Sequence, residues 1–356
     1  MPAGRLPDPA FWHGRRVLLT GHTGFKGAWL AAWLARLGAV VTGLALAPET
    51  RPNLFDAAAI AELCRSHLAD LRDRQAVATI VAEAAPEIVL HLAAQPLVRR
   101  SYREPVETFA TNVIGTVHLL DALRGLAVAP RVVLAVTTDK VYLNDDSGRA
   151  FVETDRLGGH DPYAASKAAA EIVVASYRDA FLAARGARVA TARGGNVIGG
   201  GDFSEDRIVP DIYRAAVNGE ALLLRSPDAV RPWQHVLDCL CGYLVYVETL
   251  ASVAAPPLAL NIGPDPSTPI TVAEVAATIQ AAMGLDAGWR RDVAETPREM
   301  LLLSLDPSLA HAALGWADRL PGRAALAWTA DWYARFTRGE PARALIDAEL
   351  ARYTAL

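Results

Sequence analysis

From residue 16 to residue 199 apolar runs of strand length take turns with longer amphipathic runs, and no other feature limits the possible folds so severely. "RVLLT" (16–20), "VVTGLAL" (40–46), "IVLHLAA" (88–94), "RVVLAVTT" (131–138) and "RVATARGGNVIG" (188–199) read as strands, with helical stretches over 25–37, 74–84, 105–124 and 162–184. This is the pattern of a parallel sheet with both faces covered by helices. Beyond residue 200 the elements shorten, divided by "GGGDF", "SPDAVRP", "APPLA" and "GPDPSTP", as expected of a smaller lobe built from loops. A chain of 356 residues also exceeds the roughly 250–300 at which single cores stop growing, so two lobes around a shared cleft are expected.

The glycines of "GHTGFKG" (21–27) follow the first strand directly and open the first helix. Lacking a Cβ, such residues let the chain turn sharply, let a ligand approach the backbone, and let the helix pack closely on the sheet. The free N–H groups of that helix, with the positive end of its dipole, suit a pyrophosphate, and Lys26 adds a cation. Strand, loop and helix together predict a dinucleotide site in a doubly wound, Rossmann-like α/β fold with a smaller C-terminal α/β substrate lobe. The acid normally found about 20 residues on is missing. The second strand ends "LALAPETRP", with Glu49 late and Arg51 close enough to accept a 2′-phosphate, so spacing alone leaves NAD and NADP both open. Asp70, in "LADLRD", is either a contact for the adenine edge or a solvated loop acid.

"DPYAASKAAAE" sets Tyr163 and Lys167 four residues apart at the start of a helix, on one face. A neighbouring ammonium favours a phenolate, which makes the pair a candidate proton acceptor. "TTDK" (137–140) closes a strand between the two motifs, and the carboxyl ends of parallel strands are where open α/β sheets place their chemistry.

The order "TGHTGFKG", "TTDKVY", "DPYAASK" resembles the extended short-chain dehydrogenase/reductases. Within that superfamily "GHTGFKG", "HLAAQPLVRRSY" (91–102) and "GNVIGGGDF", "DRIVPD" and "RPWQHV" (195–236) are similar to the CDP-glucose 4,6-dehydratase family. Lys140 stands where the related dTDP-glucose enzymes carry glutamate. The resemblance implies NAD as cofactor and an internal redox cycle in which C4 of the sugar is oxidised, water leaves across C5 and C6, and the hydride returns to C6. Tyr163 would take the 4-hydroxyl proton, Thr138 would hold the 4-oxygen, a protonated Asp139 would assist the departing 6-hydroxyl, and Lys167 would hold the ribose and tune Tyr163. Lys140 is either the C5 base, directly or through a water, or merely the partner of Asp139. Further cofactor contacts implied are Gly21, Thr23, Gly24, Phe25, Gly27, Leu71, Leu92, Ala93, Ala94 and Thr111.

On the substrate side Arg207 and Arg231 fall in matching segments and suit two phosphates, Asn196 resembles an asparagine touching the sugar diphosphate, and Gln95 and Arg99 follow the third strand-like run. Glu299, in "PREMLLLSLD", fits the family pattern, whereas Leu301 and Leu302 depart from it. Residues 1–193, rejoined by 236–262, are expected to form the dinucleotide-binding domain, and 194–235 with 263–356 the nucleotide-sugar lobe. The family also implies a homodimer through the helices near 105–124 and 162–184. A nucleotide-sugar 4-epimerase and a non-catalytic NAD-sensing scaffold are the alternatives.

Other readings set bounds. A hydrophobic share of 52%, a charged share of 21% and a net charge of −4 describe an ordinary soluble protein and carry no signal for nucleic acid. Residues 28–47 are long and apolar, but Arg36 and Gly38 break them before a strand-like run, so no membrane span is expected. "MPAGRLPDPAFWHGRR" lacks a signal-peptide core, which gives a cytoplasmic location. Cys64, Cys239 and Cys241 read as reduced thiols of the core. His13, His22, His91 and His118 lack metal-site company, so no metal is expected, with His22 read as a loop residue near the cofactor. Trp29 and Trp33 read as core.

Overall fold

A computed structural model describes residues 4–144, 148–265, 270–285, 288–292 and 303–356. Seven parallel strands form the central sheet: β1 Arg16–Thr20, β2 Val40–Ala45, β3 Arg65–Leu68, β4 Ile88–His91, β5 Val132–Thr138, β6 Arg188–Gly194 and β7 Ala259–Ile262. Their spatial order is β7-β6-β5-β4-β1-β2-β3. The order reverses between β1 and β4, so a crevice opens there at the carboxyl ends of both strands. Within β5, Val132, Leu134 and Val136 face one apolar layer while Val133 and Ala135 face the other. A two-residue period explains both layers, since successive side chains leave a strand on opposite sides.

The first layer holds α1 (Phe25–Arg36), whose Trp29 and Trp33 are buried core as expected, and a long helix, Val236–Ser252. Gly38, at φ +80°, ends the α1 segment in the left-handed conformation anticipated for it. The second layer holds α2 (Arg74–Ala84), α3 (Gly115–Gly125) and α4 (Pro162–Tyr177). Asp73 caps α2 through the N–H groups of Gln75 and Ala76. Asp161 caps α4 by accepting from Ala164 N at 2.8 Å, with Pro162 in the first helical turn. The stretch 105–125 is interrupted by a π turn, Ala110–Ile114, just before α3.

After β6 the chain forms short strand pairs. Asn196–Ile198 lies parallel to Trp233–His235, Leu222–Leu224 parallel to Trp289–Arg291, and Val230–Arg231 antiparallel to Ile270–Thr271. Helix α5 (Ile208–Asn218) completes this region, and the long helix Val236–Ser252, hereafter α6, leads back to β7. The last helix, Ala342–Thr354, lies against α1, with the Tyr353 ring edge-on to Trp33 at 5.6 Å. Cys64, Cys239 and Cys241 are free thiols. No helix among the described residues is long and apolar enough to cross a membrane.

Candidate active site

The three glycines after β1 divide their work in a way the coordinates separate. Gly21 has φ +80°, and a Cβ there would lie 2.8 Å from Ala93 N, so the turn itself excludes other residues. A Cβ on Gly27 would come within 2.0 Å of the Gly21 carbonyl oxygen, so α1 packs against the loop only because Gly27 has none. Gly24, the N-cap of α1, is different: the nearest atom to a Cβ would be 3.5 Å away, and the atom would project into a cleft of about 370 Å³. The protein leaves that space; a ligand against the backbone requires it.

That cleft is lined by the whole cofactor set expected from the sequence. Gly21, Thr23, Gly24, Phe25, Lys26 and Gly27 come from the loop, Asp70 and Leu71 from after β3, and Leu92, Ala93 and Ala94 from after β4. Thr111 enters from the π turn, and Tyr163 and Lys167 from α4. At one end Asp70 is bound by Arg72, whose hydrogen bonds hold its carboxyl below the usual carboxylate range. Arg51 does not line the cleft. Arg100 and Arg207 do, and Arg100 already engages Glu49, Glu104 and Glu107 at 2.8–3.0 Å. Carboxylates so placed repel a 2′-phosphate, which fits NAD better than NADP.

A second cleft of about 350 Å³ meets the first, and Thr138, Tyr163 and Arg207 line both. Arg99, Asp139, Lys140, Asn196 and Arg231 line the second cleft alone. The Thr138 hydroxyl donates to Asp139 Oδ1 at 2.8 Å. Three buried polar atoms on this wall have no partner among the described residues: Asp139 Oδ2, Asn196 Nδ2 and Arg99 Nη2. Buried polar atoms are rarely left unpaired without a ligand or water to meet them. Arg99 Nη1 holds Asp206 at 3.2 Å, and Arg207 stands 3.5 Å from Asp202.

Several expectations need revision. Gln95 faces the first cleft, and its carboxamide is engaged locally, donating to the Leu97 carbonyl and Thr108 while accepting from Leu97 N, so both amide hydrogens are committed to closing a turn. His22 does not border the cleft. It is buried beneath β2 in space left by Gly43, donates to or accepts from Ser66 at 2.7 Å, and burial lowers its pKa to about 4. Glu299, Leu301 and Leu302 lie outside the described residues.

The electrostatics of the Tyr163 and Lys167 pair also differ from the simple expectation. The Lys167 ammonium donates to the Val136 carbonyl at 2.8 Å, and burial, then the charge of Lys26, lowers its pKa to about 8. Burial pushes the Tyr163 phenol up to about 12; a hydrogen bond with Thr138 acts against this, whereas Asp139 reinforces it. Burial therefore keeps Tyr163 a neutral phenol at pH 7, while the Lys167 ammonium is directed to the Val136 carbonyl.

Sequence reasoning passed over Glu171, one turn beyond Lys167. Its carboxylate accepts from Thr137 at 2.5 Å, from Thr191 at 2.8 Å and from two Arg193 nitrogens at 2.9 and 3.0 Å. Arg193 continues to Tyr142 Oη and the Glu153 carbonyl, at 2.8 and 2.9 Å. This buried network ties α4 to β5 and β6 beside the site, and the signal was present in the i, i+4 spacing of Tyr163, Lys167 and Glu171.

The family model for "NAD dependent epimerase/dehydratase family" matches residues 17–263. The chain belongs to that family. Within it, the chain is 40% identical over 352 residues, 97% of its own length and 98% of the relative's, to a CDP-glucose 4,6-dehydratase of Salmonella typhimurium. It is 32% identical to a dTDP-glucose 4,6-dehydratase of Streptomyces antibioticus, over 74% of each chain. Among solved structures, a dTDP-glucose 4,6-dehydratase of Streptomyces venezuelae with NAD bound superposes with a TM-score of 0.76 at 27% identity, covering 92% of this chain and 99% of that one. The motif-based resemblance is thus borne out over nearly the full length, and the family is one of NAD-dependent enzymes.

Proposed function

We propose that the chain dehydrates CDP-glucose to CDP-4-keto-6-deoxyglucose, with NAD held by the glycine loop, Asp70, Leu71, Leu92, Ala93, Ala94, Thr111 and Lys167. Bound NAD would supply the acceptor and donor of the hydride, and its positive charge in the cleft that Tyr163 lines would favour the phenolate that burial disfavours. The observation that carries the reading is that Thr138 and Tyr163 line both clefts where they meet, with Asp139 beside them on the second cleft and its Oδ2 buried and unpartnered among the described residues.

On this reading Thr138 and Tyr163 hold the sugar 4-oxygen, and Tyr163 accepts its proton. Asp139, its other oxygen already bound by Thr138, presents Oδ2 to the departing 6-hydroxyl. An epimerase has no use for an acid so placed. Lys140 lines the second cleft directly after that acid and takes the C5 proton, itself or through a water. Arg99, Arg207 and Arg231 meet the diphosphate and Asn196 its sugar end.

Purified protein with CDP-glucose and no added reductant should develop the alkali-induced absorbance of a 4-keto sugar. CDP-galactose instead would mark an epimerase, and no turnover a scaffold. Calorimetric titration with CDP, dTDP and UDP tests the base, with CDP expected to bind tightest. For Lys140→Met, loss of solvent deuterium wash-in at C5 is expected; unchanged exchange removes Lys140 from the step.

We also infer a homodimer working in the cytoplasm. Val106, Phe109, Ile114 and Ile172 expose apolar surface on the helices expected to pair, 82% and 63% for Val106 and Ile172. Light scattering at micromolar concentration should give twice the chain mass of 38.0 kDa.

A further inference from the structure

Asp206 takes no part in the steps proposed for Asp139 and Tyr163, yet it lines the second cleft just ahead of α5, beside Arg99, Arg207, Arg225 and Arg231. A carboxylate there repels a diphosphate unless its charge is spent close by. It is spent on two of those arginines. Asp206 Oδ1 accepts from Arg99 Nη1 at 3.2 Å and from Arg225 Nη2 at 3.1 Å. The donors come from distant parts of the chain: Arg99 stands on the short helix Val98–Arg103 beyond β4, and Arg225 directly follows the strand Leu222–Leu224. Other acids on this wall are committed differently, since Asp161 caps α4 and Asp211 pairs with Arg214 on its own helix. The backbone of Asp206 is unusual as well, with φ at +56°, in the left-handed region that a residue with a side chain seldom adopts. Such conformations persist where the surroundings over-determine them, and they gather at ligand clamps and active sites.

The geometry at Arg99 gives this pairing a use. With Nη1 on the carboxylate, Nη2 is left buried and without an acceptor among the described residues. A guanidinium presents its donors as a rigid fork, so fixing one nitrogen fixes the direction of the other. We propose that Asp206 is a positioning residue for the substrate's diphosphate: it holds Arg99 by Nη1, with Arg225 bracing the carboxylate from the other side, so that Nη2 is left for a phosphate oxygen. The inference rests on the nucleotide-sugar reading and deepens it, because a sugar nucleotide brings the acceptor that Nη2 lacks. A hydrogen bond to a charged group corresponds to roughly tenfold to a hundredfold in affinity, and that is the scale on which a loosened Arg99 should show.

The test reads binding of CDP-glucose and of CDP by calorimetry, and turnover by the 4-keto product. Asp206→Asn keeps the shape and tolerates a left-handed backbone but loses the charge. It should weaken both ligands by about tenfold or more and raise KM in step. Its kcat should change by less than about threefold, since the group acts on binding and not on the reacting carbons. Asp206→Gly relieves the backbone, and it should melt no lower than wild type while weakening both ligands equally. In an Arg99→Met background, Asp206→Asn should cost less than about threefold more, because the group it positions is already gone. Tighter binding in Asp206→Asn would make the carboxylate a competitor of the diphosphate and overturn the proposal. The full loss in both backgrounds would deny that it acts through Arg99, and a lower melting temperature with unchanged affinity would leave it a structural residue only. If wild type binds neither CDP-glucose nor CDP, the functional reading itself fails and the positioning role with it.

Discussion

Replacing Arg193 by Met isolates the buried ion pair behind the catalytic helix. Arg193 and Glu171 are 5% and 4% exposed, so neither charge is relieved by water when its partner is removed. Met fills much of the arginine stem but leaves Glu171 with only the hydroxyls of Thr137 and Thr191 as donors. Breaking one side of a buried pair costs about 3–5 kcal/mol. With an unfolding entropy of about 2.1 cal/mol/K per residue, a chain of this size converts that into a fall in Tm of about 4–7 °C. Scanning calorimetry reads it directly. The double variant Glu171→Met with Arg193→Met should be less destabilised than Arg193→Met alone, because no unpaired charge then remains. Activity should fall in kcat more than in KM, since Thr137 precedes Thr138 and Glu171 follows Lys167 by one turn, so the network sets the phenol against the strand end. A Tm within about 1 °C of wild type, or a double variant worse than the single one by the full amount of a second loss, would refute the reasoning.

Two further outcomes follow from geometry already described. Gly24→Ala should fold as wild type and lose dinucleotide affinity, whereas Gly27→Ala should lose thermal stability, because a Cβ meets the Gly21 carbonyl oxygen at 2.0 Å at Gly27 but at an ordinary contact distance of 3.5 Å at Gly24; melting curves and calorimetric binding of the two variants check the split. Glu349 is buried with Oε2 unpartnered among the described residues, and burial, reinforced by Asp331, raises its pKa to about 8. The folded state holds that proton more tightly than the unfolded one, so the stability it contributes is complete below about pH 4.5 and is lost as pH rises through about 8. Glu349→Gln has no proton to lose, and its urea midpoint should overtake that of wild type between pH 6 and pH 9; a difference flat across that range would show that Glu349 does not titrate there.

What the sequence disclosed and what it hid divide along one physical line. Signals carried by a residue's own backbone or its i, i+4 neighbours were legible: the apolar runs of β1, β4, β5 and β6, the glycine loop, the Asp161 cap and the shared face of Tyr163 and Lys167. Signals that depend on where a side chain ends were not. Strand β3, "RSHL", gave no apolar run because it is an edge strand with no fully buried residue. Gln95 and Arg99 stand four residues apart behind the same strand, yet one folds back on Leu97 and the other reaches the second cleft. Lys26 and Lys167 are both lysines at the cleft, but the Lys167 ammonium is spent on the Val136 carbonyl and that of Lys26 lies over the Tyr243 ring. Residue type and spacing thus identified the reagents of the site, while the electrostatic balance among them came from burial, a property of the folded whole. The same division explains why a phenol read from sequence as activated is held at about 12 by its own protein: the lysine one turn along supplies proximity, but desolvation outweighs it until a cation enters the cleft.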